Sequence, residues 1–434
     1  MGNFLVFLVA ILIIIVAVTT LNEKRIKQPN EIIILIASLI LGIILSIFNK
    51  FEIFDITPKI IKVLNTYRID KVLLEVLLCF MLFSGASEIK LKDLKKNYKP
   101  ISLLAFITTF ISSSLFGAMF YGICYLLNID ISFVLCFLLG SIVSPTDPIA
   151  ATGILVKLGL SEDLVATIAG ESLFNDGIGV AIYVFLESLY TNASKENFAL
   201  VMSKELVGAI AIGFVISIIS FKLLEQTDDP IKHIIISLIA VILCYTLCEH
   251  YGFSGAIASV ICGIYFSSKH DKYKESNPCV DCCDWYDDFW KIVDTLMNYI
   301  LYVMIGLSFV YVVNVRFGII VAVAVIAINL IARFAGVFIS SVLVRNNPGH
   351  YSDVNLTILL TWSGLKGGLC LALGMSASGF LPASVYQYFL IVTFSIIVFT
   401  TIVQGLTVPL VYKRIESTLP EKLEHGLSFK SNKK

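Results

Sequence analysis

The sequence predicts an all-α integral membrane protein with about thirteen transmembrane helices, the fifth and twelfth discontinuous, arranged as inverted six-helix repeats. Three observations predict it. Of 434 residues, 57% are hydrophobic and only 15% charged, against roughly 25% charged in soluble domains, and the mean hydropathy is +0.89. Apolar runs of about 17 to 29 residues recur along the whole chain, and ~20 apolar residues are what a helix needs to cross ~30 Å of hydrocarbon. Two of these runs are broken by Pro or Gly at matching places. A chain of this length would otherwise make about three soluble domains, but no polar linkers separate any.

The apolar stretches lie at approximately 4–20, 32–48, 72–88, 101–127, 132–156 and 162–190. Span 205–224 stands alone, and six more follow at 231–248, 253–268, 291–312, 316–344, 355–378 and 384–412. No Lys or Arg precedes the first run, and no small-x-small cleavage pattern follows before Lys24, so it reads as a retained helix rather than a signal peptide. The count divides as six, one and six. Residues 1–190 form a first six-helix repeat, 205–224 a linker helix, 231–412 a second repeat, and 413–434 a short cytoplasmic tail. An odd linker span inverts the second repeat relative to the first, and interrupted helices at equivalent positions are the sequence pointer to a binding site between such repeats. The fifth span reads GSIVSPTDPIAATG, broken by Pro145 and Pro148; the fifth span of the second half reads TWSGLKGGLCLALG, broken by Gly364, Gly367 and Gly368.

Lys and Arg set the orientation. With the amino terminus outside, 22 of the 32 lie in or flank inward loops and the tail, eight lie outward, and Arg333 and Lys366 lie within spans. The expected setting is the cell membrane, with lipids as partners, the amino terminus outside and the carboxyl terminus cytoplasmic. Zero net charge points to no nucleic-acid partner, and no cofactor is called for.

Seven of ten cysteines sit singly in apolar runs, where Cys behaves as a small hydrophobe. Cys279, Cys282 and Cys283 share the loop PCVDCCDWYDDFW. Its C-x-x-C spacing is half of a zinc site, with Asp281 or Asp284 as further ligands. No second C-x-x-C or His pair completes one, so a reduced or lipidated cytosolic loop is the favoured reading.

Ionisable groups at membrane depth cost at least ~2.5–3.5 kcal/mol each and are functional candidates by default. Five lie near span centres: Asp147, Glu171, Asp176, Arg333 and Lys366. Glu75, Glu187, Glu249 and Asp294 lie nearer the interfaces and are expected to reach headgroups. If Arg333 and Lys366 each hold one carboxylate, one negative charge is left over. Desolvation disfavours its bare form, so either a proton or an alkali cation neutralises it. In AGESLFNDGIGV, Glu171, Ser172, Asn175 and Asp176 fall within roughly 140° of helix circumference. Ser172 and Asp176, four apart, are surface neighbours. A hydroxyl, an amide oxygen and a carboxylate are the hard donors a hard cation takes. The string SPTDP adds the Thr146 hydroxyl and unwound carbonyls, tolerable in a membrane only where they line a cavity. Asp147 would face the positive end of one half-helix and Lys366 the negative end of another.

The strings SPTDPIAA, AGESLFNDGIG, IARFAG and WSGLKGG, with SGAIASVICGI and MNYILYVMIGL, resemble the monovalent cation:proton antiporter superfamily, in particular its NhaP-type sodium/proton exchangers. The resemblance implies that Asp176 binds cation and proton alternately, that Asn175 stabilises it, and that Thr146 and Ser172 supply oxygens to Na+. It implies the ion pairs Glu171–Arg333 and Asp147–Lys366, a homodimer, a core bundle moving against a scaffold, and electroneutral one-for-one exchange from Asn at 175. Li+ and K+ are alternative cargoes; regulation of intracellular pH and sodium is the expected role. The chain departs from the pattern twice: WSGLKGG stands where WGGLRG is usual, and FSGA at 83–86, with Glu88 nearby, stands where a third-span acid is common. A cation channel or uniporter would share the site without alternating access. An intramembrane aspartyl protease could use Asp147 with Asp176, but its Gly-x-Gly-Asp setting is missing.

Overall fold

The structure is a computed structural model. It describes residues 2–50, 76–147, 152–153, 155–156, 158–160, 162–191, 198–276, 280–309, 317–345 and 354–416. Glu75, Pro148 and Cys279 lie outside the described residues, as do the side chains of Asp281, Cys282 and Cys283 and most of the 413–434 tail.

All of the regular structure among the described residues is helical. In chain order the helices of nine or more described residues are α1 Gly2–Leu21, α2 Asn30–Lys50, α3 Leu78–Glu88, α4 Tyr98–Leu127, α5 Phe133–Val143, α6 Glu162–Tyr190 and α7 Phe198–Leu224. There follow α8 Pro230–His250, α9 Gly255–Ser276, α10 Val280–Ser308, α11 Gly318–Arg345, α12 Val354–Trp362, α13 Gly368–Ser376 and α14 Ala383–Ile415. Among the described residues nine helices are long and apolar enough to cross a membrane, and three apolar ones are shorter. α4 contains a π-turn at Leu104–Thr108 and α14 another at Phe399–Gln404.

Sequence chemistry sets the helix ends. Ser132 caps α5, accepting from Leu135 N–H (3.4 Å), and Asp229 caps α8, accepting from Ile231 N–H (3.0 Å) with Pro230 at the first helical position. Asn128 closes α4 at φ 50°, a left-handed conformation that Asn tolerates. α7, α9 and α10 extend beyond their apolar windows, α9 through SSKHDKYKES and α10 through VDCCDWYDDFW. Those polar turns contain no Pro or Gly to stop a helix.

Two compact units emerge, each drawing on both halves of the chain. The first comprises residues 1–91, 180–316 and 371–394. Within it α7 packs on α8 and α9, α9 on α3, and α10 on α2 and α3. Its core includes Phe83, Phe221, Phe266 and Trp290, with the Phe83 and Trp290 rings 4.5 Å apart. Small residues let backbones approach: a Cβ on Gly306 of α10 would collide with Ser38 of α2, and one on Gly42 with the Gly306 carbonyl. In a bilayer such van der Waals contact replaces the hydrophobic effect as the force between helices.

The second unit comprises residues 92–179, 317–370 and 395–434. Here α4 packs on α5 and α11, while α12 packs on α11 and on the last turns of α14. Leu104, Leu164, Ile168, Val337, Leu360 and Val408 belong to its core. Thr108 and Ser340 share a buried hydrogen bond of 2.8 Å, and Ser112 donates to the Ala332 carbonyl (3.2 Å). The α4–α11 seam therefore carries buried polar contacts. Both predicted breaks are present. α5 stops at Val143 and the chain runs non-helically through 144–147, while residues 363–367 separate α12 from α13.

Candidate cation-binding site

Every residue singled out near a span centre falls in the second unit. α6 presents Glu171, Ser172, Asn175 and Asp176; the unwound segment after α5 presents Thr146 and Asp147; α11 brings Arg333 and the break after α12 brings Lys366. Thr146, Glu171, Ser172, Asn175, Arg333 and Lys366 are buried, whereas Asp147 and Asp176 are half-buried.

Arg333 grips Glu171 with a two-pronged ion pair, Nη1 to Oε1 at 2.8 Å and Nη2 to Oε2 at 2.9 Å. Fork-on-carboxylate geometry is the strongest form of this interaction, and at this depth both charges need it. Gly364 makes room: a Cβ there would lie 2.9 Å from Arg333 Nε.

Asn175 joins this pair to the broken helix. Its Nδ2 donates to Glu171 Oε1 (2.9 Å) and to Thr146 Oγ1 (2.7 Å), and its Oδ1 accepts from the Thr146 N–H (3.3 Å). The amide thus fixes residue 146, which proline had freed from helical bonding. Thr146 Oγ1 then lies 3.1 Å from Ser172 Oγ. A hydroxyl oxygen has two lone pairs; on Thr146 one accepts from Asn175, and in the bond with Ser172 either hydroxyl can donate. Asp176 follows Asn175 and sits one turn from Ser172, so its carboxylate belongs to the same face. Asp147, Glu171 and Lys366 are charges that act on it electrostatically.

The two breaks meet backbone to backbone, Asp147 N–H donating to the Leu365 carbonyl at 2.8 Å. Lys366 Nζ donates to the Ser144 carbonyl (2.7 Å). Asp147 lies beside the next residue, where any Cβ on Gly367 would collide with its carboxylate. Glycine is needed at 367 because the acid occupies that space.

Sequence reasoning missed three residues here. Ser144 supplies the Lys366 acceptor and itself donates to the Thr109 carbonyl (2.9 Å). Thr400 and Thr401, in the π-turn of α14, both bond the Lys366 backbone. The available signal was two adjacent threonines at membrane depth in FTTIVQ. Of the remaining acids, Glu88 is exposed at the end of α3 and Glu249 is exposed one residue before the end of α8.

A bundle of apolar helices that gathers Asp147, Glu171, Asp176, Arg333 and Lys366 with the Thr146 and Ser172 hydroxyls in one compact unit has the build of a membrane ion transporter. The chain belongs to the transmembrane sodium/hydrogen exchanger family, whose match spans residues 9–414. It is 27% identical over 421 residues to the Na+/H+ antiporter NhaP of Pseudomonas aeruginosa, covering 95% of this chain and 98% of that one. It is likewise 27% identical to the Na+/H+ antiporter NhaH of Halobacillus aidingensis, covering 94% and 98%. Among solved structures, the sodium proton antiporter MjNhaP1 of Methanocaldococcus jannaschii superposes with a TM-score of 0.74 at 20% identity, over 97% of this chain and 99% of that one. The NhaP-type resemblance drawn from the motifs and the helical transporter fold are both borne out, and the family is one of transporters rather than enzymes.

Proposed function

We propose that this chain exchanges one Na+ for one H+ across the cell membrane by alternating access, with Asp176 holding either ion. The observation that supports it most is the charge balance within one compact unit. Glu171 is fully matched by Arg333, and Lys366 is a single positive charge against the two carboxylates Asp147 and Asp176, so one negative charge remains. In the cation-loaded state Asp176, Thr146 and Ser172 give oxygens to Na+, and Asn175 keeps the Thr146 hydroxyl aimed. In the proton-loaded state the carboxyl is neutral and the hydroxyls bond each other, as they do here. Since each guest supplies the same single charge, the carrier cycle moves no net charge. Lys366 and Asp147 together keep the crossing of the two broken helices electrically balanced.

The proposal extends to thirteen spans in a six-one-six arrangement of inverted repeats, amino terminus outside, and to a homodimer that sets cytoplasmic pH and sodium. The unit that holds the site moves as one body. Purified protein in proteoliposomes with a trapped pH dye tests the exchange: Na+ pulses move protons in the wild type, Li+ and K+ pulses rank selectivity, and Asp176→Asn abolishes the signal while the protein stays folded. Sustained Na+-driven proton movement in that variant refutes the role of Asp176. Na+ uptake with no linked proton movement would make the protein a channel or uniporter.

A further inference from the structure

We infer that Thr400 and Thr401 are positioning residues for the cation site, acting through a clamp on the backbone of Lys366; this rests on Asp176, Thr146 and Ser172 forming that site. The gap between α12 and α13 leaves peptide groups without helical partners, and buried polar groups at membrane depth must find others. At Lys366 both are supplied by one turn of α14. The Lys366 N–H donates to Thr400 Oγ1 (3.1 Å), and the Lys366 carbonyl accepts from Thr401 Oγ1 (3.2 Å). Thr400 Oγ1 in turn donates to the Ile397 carbonyl (3.2 Å), which aims a lone pair at residue 366. Both threonines are fully buried.

Two features set this apart from routine satisfaction of a threonine in an apolar helix. Such a hydroxyl commonly bonds the carbonyl four residues back, as Thr361 and Thr407 do here; Thr401 instead reaches another segment. Adjacent residues on an α-helix point about 100° apart, yet these two bond the N–H and the carbonyl of the same residue, and they sit in the π-turn Phe399–Gln404. Single π-turns inside α-helices concentrate at functional positions.

The clamp leads to the cation ligands through a continuous chain of contacts inside one compact unit. Fixing the Lys366 backbone sets where its Nζ meets the Ser144 carbonyl (2.7 Å), and Leu365, next to it, holds the Asp147 N–H (2.8 Å). Thr146 lies between those two anchored residues. Loosening residue 366 therefore loosens the Thr146 hydroxyl and the ammonium that acts on Asp176.

The test compares wild type with Thr400→Val, Thr401→Val, Thr400→Ser, Thr401→Ser and Asp176→Asn. Proteoliposome exchange gives half-saturating Na+ and the pH profile; the shift in melting temperature on adding Na+ to detergent-purified protein gives binding without transport. Each Val variant is expected to raise half-saturating Na+ about tenfold, equivalent to ~1.4 kcal/mol, to displace the pH profile and to weaken the Na+-induced melting shift. The Ser variants, which keep the hydroxyl, restore all three. Val variants that match wild type in half-saturation, pH profile and melting shift overturn the clamp, and so do Ser variants impaired as badly as Val. If a Val variant fails to purify, Thr→Ser with wild-type Na+ affinity supports the clamp and Thr→Ser with lost affinity overturns it. Exchange retained by Asp176→Asn refutes the site itself, an outcome separate from any of these.

Discussion

Asn175 has two amide hydrogens and spends one on Glu171 and the other on Thr146, so a single side chain ties a structural ion pair to a proposed cation ligand. The consequence is a division of labour between neighbouring acids. Glu171, gripped by Arg333, is tied up in structure, and in the proposed site Asp176 is left for the cargo. Arg333→Ala should therefore act on stability first. It strands a buried carboxylate, at about 3–5 kcal/mol, and should lower the melting temperature in detergent far more than Asp176→Asn does. Equal melting temperatures in the two variants would show that the Glu171 pair bears little of the structure. The five central charges were legible in the sequence because an ion at membrane depth is costly and stands out against the apolar spans. Ser144, Thr400 and Thr401 were not, because a hydroxyl in an apolar helix satisfies itself on its own backbone. Ser259 does this, donating to the Gly255 carbonyl (3.0 Å), and only the pairing of two adjacent threonines in FTTIVQ sets Thr401 apart in the sequence.

At the scale of elements, hydropathy located the helices and the breakers located the interruptions. Pro145 ended helical pairing after Val143, and the Gly-rich string after Trp362 opened the second gap. Hydropathy could not place helix ends, since it marks where lipid begins and not where hydrogen bonding stops. That is why α7 starts at Phe198 and α10 at Val280, before their apolar windows. The π-turns within α4 and α14 had no sequence signal at all: an extra residue in a turn leaves composition unchanged. Helix contact in the first unit relies on missing side chains, which yields a direct expectation. Gly306→Leu should drive α2 from α10, because a Cβ alone already collides with Ser38. Overpacking costs about 1–3 kcal/mol, so the variant should melt several degrees lower, and Gly306→Ala should fall between. A Leu variant as heat-stable as wild type would mean that the two helices are free to separate.

For the whole molecule, each compact unit takes segments from both halves of the chain, yet all the proposed ligands and their ion pairs lie in one of them. Under the proposed alternating access, a site concentrated in one unit would keep its geometry while access changes. The homodimer and the orientation are checked together in mild detergent and in oriented vesicles. Native mass spectrometry should give about twice the 47.9 kDa chain mass, and a carboxyl-terminal tag should be cleaved only by protease on the cytoplasmic side. A monomer mass, or cleavage from outside, removes the corresponding part of the proposal.

Competition between the two ions is the property on which the rest depends, and it is measured most directly as half-saturating Na+ against pH in proteoliposomes. Rivalry for one carboxylate predicts that, at acid pH, half-saturating Na+ rises close to tenfold for each unit of falling pH while the maximal rate holds steady. A half-saturation that ignores pH, with the maximal rate falling instead, would mean that proton and sodium occupy different places and would contradict the account.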